Sequence, residues 1–251
     1  MHSKAGALSI AVVSLAVAAS CGGSGTTSPY EDIFDRAVQA ISQPGAAFHV
    51  RAVMRDSPGG APEPTPVPGT MVFSGLVTVW ETWVDVEHET ARVEYWLDDQ
   101  LNFIEVVASG RRARLSPEGD LLDRQDYSGV ERLDNPALDY LSYLAPLTAP
   151  RDERMITEET RGGRRVIRVE VTEMVTAVSG YMQASNVAYL DAESLLPVEF
   201  TFIGITAPGA GDAPVMSTTI YESPTFIPLQ ELPEDFFSID EQDTPLVPTQ
   251  G

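Results

Sequence analysis

The chain has one cysteine, one lysine and three histidines among 251 residues, and each shortage excludes a class of protein. With Cys21 alone, the chain can form neither an internal disulfide framework nor a multi-thiolate metal site, so its stability must come from a hydrophobic core. The catalytic motifs Gly-x-Ser-x-Gly and His-Glu-x-x-His are absent, as is the Asp-x-Asp-x-Asp-Gly calcium loop. We therefore predict a protein that is not an enzyme, with no catalytic residue, no cofactor and no bound metal.

Basic residues are few beside the acidic ones, 16 against 37, which gives a net charge of −21. Such acidity repels phosphate backbones, so we expect no nucleic-acid partner. Every basic residue except Lys4 is an arginine, and two local groups stand out: Arg111, Arg112 and Arg114, and the arginines of segment 161–168. Either these groups meet a phosphate or an acidic partner, or they pair with neighbouring carboxylates, which is the more common arrangement.

Long hydrophobic runs are also missing, apart from one near the start of the chain. Lys4 precedes an apolar stretch at 7–19, which is short for a bilayer span and is followed closely by Cys21. Residues 18–21 resemble the bacterial lipobox, although Ala18 stands where the usual pattern has a branched apolar residue. The alternative is an ordinary secretory signal that leaves Cys21 as a free thiol.

These features predict the domain organisation. We expect residues 1–20 to be a lipoprotein signal peptide and residues 21–29 to be the lipidated Cys21 with a flexible Gly/Ser tether. Residues 30–240 are expected to form a single domain, and residues 241–251 a disordered tail. The protein would then be extracytoplasmic and anchored to the bacterial cell membrane by Cys21.

Two helices are predicted within the domain. A capping box at residues 28–31, with Pro29 at the first helical position, opens the first helix, which ends near Pro44. Its apolar stripe consists of Ile33, Phe34, Ala37, Val38 and Ile41. The second helix is opened by Asn135-Pro136 and ended by Pro146, and its broad apolar face consists of Leu138, Tyr140, Leu141, Tyr143 and Leu144.

Nearly all the rest alternates with the period of a β-strand. Strands are predicted at 48–55, 71–86, 92–97, 101–108, 111–115, 155–160, 165–173, 186–190, 196–202 and 215–221, with a hairpin turn at Gly162-Gly163. We therefore predict a mainly β (α+β) fold, in which a curved antiparallel sheet or half-barrel has helices covering its concave face. Two packed sheets remain the alternative.

The apolar face of such a sheet has to be shielded from water, and the two predicted helices can cover only part of it. If the sheet curves and the helices lie across its mouth, an apolar cavity can remain. The alternative is a dry core in which the same side chains interdigitate. The candidate lipid-cavity residues are Phe48, Val50, Met54, Leu141, Leu144, Ile167, Val169, Val171, Val198, Phe200 and Phe202.

One acidic cluster is the nearest approach to a metal site. Asp85, Glu87, His88 and Glu89 lie together in sequence, at the end of a predicted strand. A solvated turn explains the same pattern, so we predict no metal there.

Several elements together resemble the LolA-like superfamily and its LppX/LprG-type lipoproteins. The elements Tyr189-Leu190-Asp191 and Leu196-Pro197-Val198 are similar to a strand pair of that superfamily, and residues 138–147 are similar to its middle helix. The resemblance implies a half-barrel closed by helices that binds or transfers lipids or acylated molecules at the cell envelope. A related branch, the RseB-like regulators, implies the alternative of a non-catalytic envelope regulator or accessory subunit with a protein partner.

Overall fold

The computed structural model describes residues 30–56, 78–126, 133, 135–173, 181–206 and 215–239. Cys21 and the predicted signal peptide, tether and tail lie outside these residues. Eleven strands are present: β1 (Ala46–Asp56), β2 (Thr78–Asp85), β3 (Thr90–Leu97), β4 (Gln100–Ala108), β5 (Arg111–Leu115), β6 (Leu121–Asp126), β7 (Arg154–Arg161), β8 (Arg164–Glu173), β9 (Tyr181–Asp191), β10 (Pro197–Thr206) and β11 (Val215–Pro228).

All eleven strands belong to one antiparallel sheet with the order β6-β5-β4-β3-β2-β1-β11-β10-β9-β8-β7. Strands β1 to β6 form one meander and β7 to β11 form a second, and the pairing of β1 with β11 joins them. Among the described residues the sheet is not closed into a barrel, because β6 and β7 each pair with one strand only. The prediction of a mainly β, antiparallel fold is confirmed, and the alternative of two packed sheets is wrong for this part of the chain.

The chain must pass from β6 at one edge of the sheet to β7 at the other, and most of the helical residues lie in this connection. Two 3-10 turns, Pro136–Tyr140 and Ser142–Leu144, lead into the single-turn helix α2 (Ala145–Thr148). We call residues Pro136–Thr148 the middle helical segment. It contacts β2 and β3 on one side and β8, β9 and β10 on the other, so it covers one face of the sheet.

The middle helical segment differs from the continuous helix predicted for it. Leu141 has a ψ of 77°, which interrupts the helical hydrogen bonding between the two 3-10 turns. Pro146 lies in the first turn of α2, where a missing N–H costs nothing, rather than at its end. The Asn135 side chain accepts from the Ala137 N–H and donates to the Val86 carbonyl, each at 3.0 Å, and so ties the segment to the end of β2.

Helix α1 spans Ile33–Ala40 and therefore begins later than the capping box predicts. Residues 30–32 form a turn instead, and the first helical hydrogen bond runs from the Arg36 N–H to the Asp32 carbonyl at 3.0 Å. Ser28 and Pro29 lie outside the described residues. The predicted stripe is confirmed, since Ile33, Ala37 and Ile41 are buried in the core.

The strand predictions hold best where alternation is clear. The Gly162-Gly163 hairpin is confirmed, and both glycines have the positive φ values, 58° and 82°, that this tight turn requires. Strand β6 was missed because the run Leu121–Asp126 is mostly polar; it forms by pairing with β5. No described helix is long and apolar enough to cross a membrane.

The acidic cluster at the end of β2 forms a hydrogen-bonded turn. Asp85 is buried, and its Oδ1 accepts from the backbone N–H groups of Glu87 and His88 at 3.1 and 3.2 Å. Its Oδ2 lies 2.7 Å from the His88 Nδ1. In the described ranges no three His, Cys, Asp or Glu side chains converge in a way that would hold a metal ion.

The core predicts a clear stability contrast between two leucines. Leu144 in the middle helical segment is fully buried, whereas Leu122 on β6 is 59% exposed. We expect Leu144→Ala to lower the free energy of unfolding by about 2–5 kcal/mol, because it leaves a cavity, and Leu122→Ala to change it by less than about 0.5 kcal/mol. Urea denaturation measures both, and equal effects would contradict this packing.

The Asp85 turn predicts a pH dependence. The hydrogen bond with Asp85, and then the charge of that carboxylate, raise the pKa of His88 above its ordinary 6.5. The contact therefore stabilises the fold fully below about pH 6.5, and the stabilisation is lost as the pH rises through the raised pKa. NMR titration of the His88 ring should give a midpoint above 6.5 that falls in Asp85→Asn, whose amide oxygen still accepts from the turn. An unchanged midpoint would show that the contact does not form.

Candidate functional site

A cavity of about 910 Å³ lies between the middle helical segment and the sheet. Its walls come from five neighbouring strands, β2, β1, β11, β10 and β9, and from the segment itself. Its lining combines polar side chains, among them Asp139, Asn186 and Thr219, with a larger apolar set: Met54, Trp80, Leu138, Leu141, Phe200 and Phe202. The long strands thus hold a set of half-buried apolar groups against a space that no described side chain fills.

The strand register explains why space remains here. On β10, Phe200 pairs with Thr219 of β11, and Phe202 pairs with Ser217 of the same strand. On the other side the same two rings face Ala188 and Asn186 of β9. Large rings that alternate with small neighbours do not fill the layer under the middle helical segment, so a cavity is left.

The opposite end of the same face is closed because large side chains meet there. Phe48 is paired with Phe226 and Val84, and Ile167 is paired with Leu190. The Phe48 and Phe226 rings make an edge contact with centroids 5.8 Å apart. Phe48, Val84, Ile167 and Leu190 are almost fully buried and form a dry core, against which the partly buried Phe226 packs.

The predicted lipid-cavity residues therefore divide between the two ends. Four of them line the cavity: Met54, Leu141, Phe200 and Phe202. Six others are buried in or beside the dry core: Phe48, Val50, Leu144, Ile167, Val169 and Val171. The cavity and the dry core, which the sequence left as alternatives, are both present on one face.

Val198 is the exception to the predicted alternation. A register shift between Pro197 and Glu199 adds one residue to β10, and Val198 packs on the other face, against Val166, Val187 and Tyr189. Its place in the predicted inward row with Phe200 is wrong. A β-bulge of this kind reverses the facing of the residues before it, which simple alternation cannot show.

The cavity continues into a second one of about 430 Å³, which adds the Glu105–Arg112 ion pair to the lining. The two share Met54, Trp80, Asp139 and Ser142 as lining residues, so they adjoin. The smaller one is also lined by polar groups on β2, β3, β4 and β5: Thr78, Tyr95, Glu105 and Arg112. We call the two together the cleft; the rings of Phe200 and Phe202 lie at one end, and the buried ion pair of Glu105 lies at the other, which we call the polar end.

Glu105 is the centre of the polar end and is only 1% exposed. Its Oε1 accepts from Arg112 at 2.5 Å and from Arg114 at 2.8 and 3.2 Å. The register brings them together, because Glu105 pairs with Arg114 across β4 and β5, and Arg112 lies two residues away on the same face. Burial, and then the Glu105 charge, raise the pKa of Tyr95 well above its usual value, so its hydroxyl stays protonated.

The arginine groups seen in the sequence pair with carboxylates. Arg112 and Arg114 bind Glu105, and in the second group Arg161 binds Glu199 at 2.6 Å. The other arginines of that group are in similar contacts: Arg164 with Asp191, Arg165 with Glu158, and Arg168 with Glu170. Of the two alternatives for the arginine groups, pairing with neighbouring carboxylates is the one observed for these six arginines.

Sequence reasoning missed Glu105 and the small residues that make room for the cavity. A signal for Glu105 was available: it is a single acid within the run Phe103-Ile104-Glu105-Val106-Val107, and Arg112 and Arg114 follow at alternate positions after a two-residue turn. The small residues of β11 carry no such signal, because their partners are set by the pairing of distant strands.

No family model matches the chain, and no curated protein matches it. Among solved structures, a LolA superfamily protein of Nitrosomonas europaea is 12% identical with a TM-score of 0.36, over 85% of this chain and 99% of that chain. The lipoprotein LppX of Mycobacterium tuberculosis is 10% identical with a TM-score of 0.40, over 78% and 93%. A β-barrel-like protein from Brucella abortus, a domain of unknown function, is 10% identical with a TM-score of 0.25, over 72% and 98%.

The similar solved structures thus include a LolA superfamily protein and the lipoprotein LppX, the two groups that the sequence resembles. With TM-scores below 0.5, these likenesses carry no argument about function, which has to come from this chain's own residues.

Proposed function

We propose that the protein is a non-catalytic lipid-binding or lipid-transfer lipoprotein of the bacterial cell envelope, and that its curved half-barrel holds acyl chains in the cleft. The observation that supports this most directly is the apolar cavity of about 910 Å³ between the middle helical segment and the rings of Phe200 and Phe202. Its volume lies in the upper part of the range of about 300–1,000 Å³ that is typical of ligand sites.

The energy of burial indicates the chain length such a site needs. Each buried methylene contributes about 0.8 kcal/mol, so ten of them contribute about 8 kcal/mol. The loss of translational and rotational freedom on binding costs about 4–15 kcal/mol. About twelve methylenes are needed to offset the middle of that range, about 9.5 kcal/mol, so we expect ligands with acyl chains of about twelve carbons or more.

The anchor completes this proposal. A lipidated Cys21, followed by the tether at 21–29, would keep the cleft close to the membrane from which acyl chains come. The net charge of −21 would keep the domain itself from settling on anionic head groups. The cleft would then exchange chains with the membrane while the anchor holds the domain near it.

The polar end of the cleft favours binding over catalysis. The buried carboxylate there, Glu105, is held by two guanidinium groups, and among the described residues no serine, threonine, cysteine or histidine side chain hydrogen-bonds to it. General acid–base or nucleophilic chemistry needs such partners within hydrogen-bond reach.

A photo-crosslinking experiment tests the proposal on the full-length chain. Bacteria that express it are fed a fatty acid bearing a diazirine in its chain and are irradiated, and the purified protein is digested and mapped by mass spectrometry. We expect acyl adducts on peptides that contain Met54, Leu141 and Phe202, since these residues line the cavity. Phe202→Asp should reduce the adducts at least tenfold, because a charge in the cavity opposes an apolar chain.

The neighbouring residue supplies the matched control. Ile203 follows Phe202 on β10, so its side chain points to the other face of the sheet. Ile203→Asp should keep the adducts, provided that both variants retain a cooperative thermal transition. Adducts that are absent from the wild type, or that persist unchanged in a folded Phe202→Asp protein, would show that the cavity is not the acyl-chain site.

A further inference from the structure

Asn186 is a polar residue among apolar neighbours on the sheet wall of the larger cavity. It pairs with Val171 of β8 on one side and with Phe202 of β10 on the other. Along its own strand the nearest residues on the same face are Ala184 and Ala188, which are buried. Asparagine is depleted from β-strands, and none of these four side chains can hydrogen-bond to its amide. The packing of the sheet therefore does not account for an amide at this position.

Ser217 is a second polar residue on the same wall. It lies on the far side of Phe202 from Asn186, because β10 pairs with β9 and with β11 at that ring. Both polar side chains line the larger cavity and are half-buried, so part of each is accessible from it. Neither makes a hydrogen bond with another described residue. Their Cα atoms are about 10 Å apart, which is twice the spacing of neighbouring strands.

A plain acyl chain would leave these two groups without partners. Polar groups on a cavity wall bind water until a ligand displaces it, and methylene groups neither donate nor accept. The Asn186 amide has two donor hydrogens and one acceptor oxygen, and the Ser217 hydroxyl both donates and accepts. A ligand group that also donates and accepts therefore replaces the hydrogen bonds of the displaced water.

The charges of the lining disfavour an ionic group at this place. No described residue that lines the larger cavity is positively charged, so a carboxylate or phosphate beside Asn186 would be buried without a counter-ion. An ammonium only donates, so the Asn186 donors would stay without partners. An amide or a hydroxyl is uncharged, and each both donates and accepts.

We propose that Asn186 and Ser217 bind an uncharged amide or hydroxyl group that the ligand carries beside its acyl chain. The chain itself would extend from this group along the cavity towards Trp80 and Leu141. This inference rests on the proposed function for the presence of the chain. It adds the class of polar group and the residues that select it.

Two pairs of probes with matched chains test this preference. N-Dodecylacetamide and dodecyl acetate differ in the N–H that the ester lacks, and 1-tetradecanol and its isomer 1-methoxytridecane differ in the O–H that the ether lacks. Each probe is tritiated, and its equilibrium binding to the full-length protein in amphipol is measured. A plain apolar cavity would prefer the ester and the ether, because they lose less hydration. We expect the reverse: the probe with the donor should bind about fivefold or more tightly in at least one pair, and the pair with the larger preference tells an amide from a hydroxyl.

Variants assign the preference to the two residues. Asn186→Leu keeps the size of the side chain without its hydrogen-bonding groups, and Ser217→Ala removes the hydroxyl. Each should reduce the preference to less than about twofold. Asn186→Leu should also bind the ester and the ether at least as tightly as the wild type does, whereas damage to the cavity would weaken every probe.

Ser185→Ala is the matched control. Ser185 precedes Asn186 on β9, so its side chain points to the other face of the sheet, where it lies 2.9 Å from the Thr172 hydroxyl. It lines neither part of the cleft. The preference of Ser185→Ala should therefore equal that of the wild type.

The outcomes separate this inference from the proposed function. If the wild type prefers the donor-bearing probe in neither pair, or if a folded Asn186→Leu or Ser217→Ala protein keeps the full preference, the inference is wrong and the acyl-chain site stands. If no probe binds the wild type, both fail. A cooperative thermal transition shows that a variant is folded, and Asn186→Ala replaces Asn186→Leu if the latter does not fold.

Discussion

Strands β6 and β7 follow each other in the chain but lie at opposite edges of the sheet. The connection between them therefore has to pass over the face that both meanders share. Joining β1 to β11 makes one continuous sheet and therefore one continuous apolar face. The middle helical segment, with α1 beside it, is the cover available among the described residues, and it contacts strands from both meanders. The thirteen residues of this segment form short turns and cannot by themselves cover the five central strands. The size of the strand side chains beneath the segment therefore decides where the space between segment and sheet is filled.

The size of the strand side chains explains why one part of this face is a dry core and another part borders a cavity. Where β1 presents Phe48 to Phe226, and β8 presents Ile167 to Leu190, the side chains fill the space and the segment closes over a dry core. Where Phe200 and Phe202 meet Thr219 and Ser217, the same cover leaves the cavity. The cavity is therefore a consequence of cross-strand pairing, and its outline follows β10 and β11 rather than any helix.

The sequence predicted the features that local patterns determine. Alternation identified most strands, the Gly162-Gly163 pair identified a hairpin, and the apolar stripe of α1 identified a buried face. The errors occurred where a feature depends on pairing between distant strands: the bulge that turns Val198 outward, and the pairing that forms β6. For the site, four cavity residues were found among those named, but dry core and cavity were indistinguishable, because both consist of the same residue types in the same alternation.

Glu105 shows how the polar end differs from a device for stability. A buried carboxylate bound by two arginines contributes little net stability, because its desolvation offsets the attraction, and apolar residues of similar volume would serve the fold as well or better. Here the arginines bind one oxygen, Oε1, and the other oxygen is buried with no hydrogen-bond partner among the described residues. The effect of the arginines is to offset the desolvation free energy of the Glu105 carboxylate. The carboxylate can therefore remain buried beside the cavity.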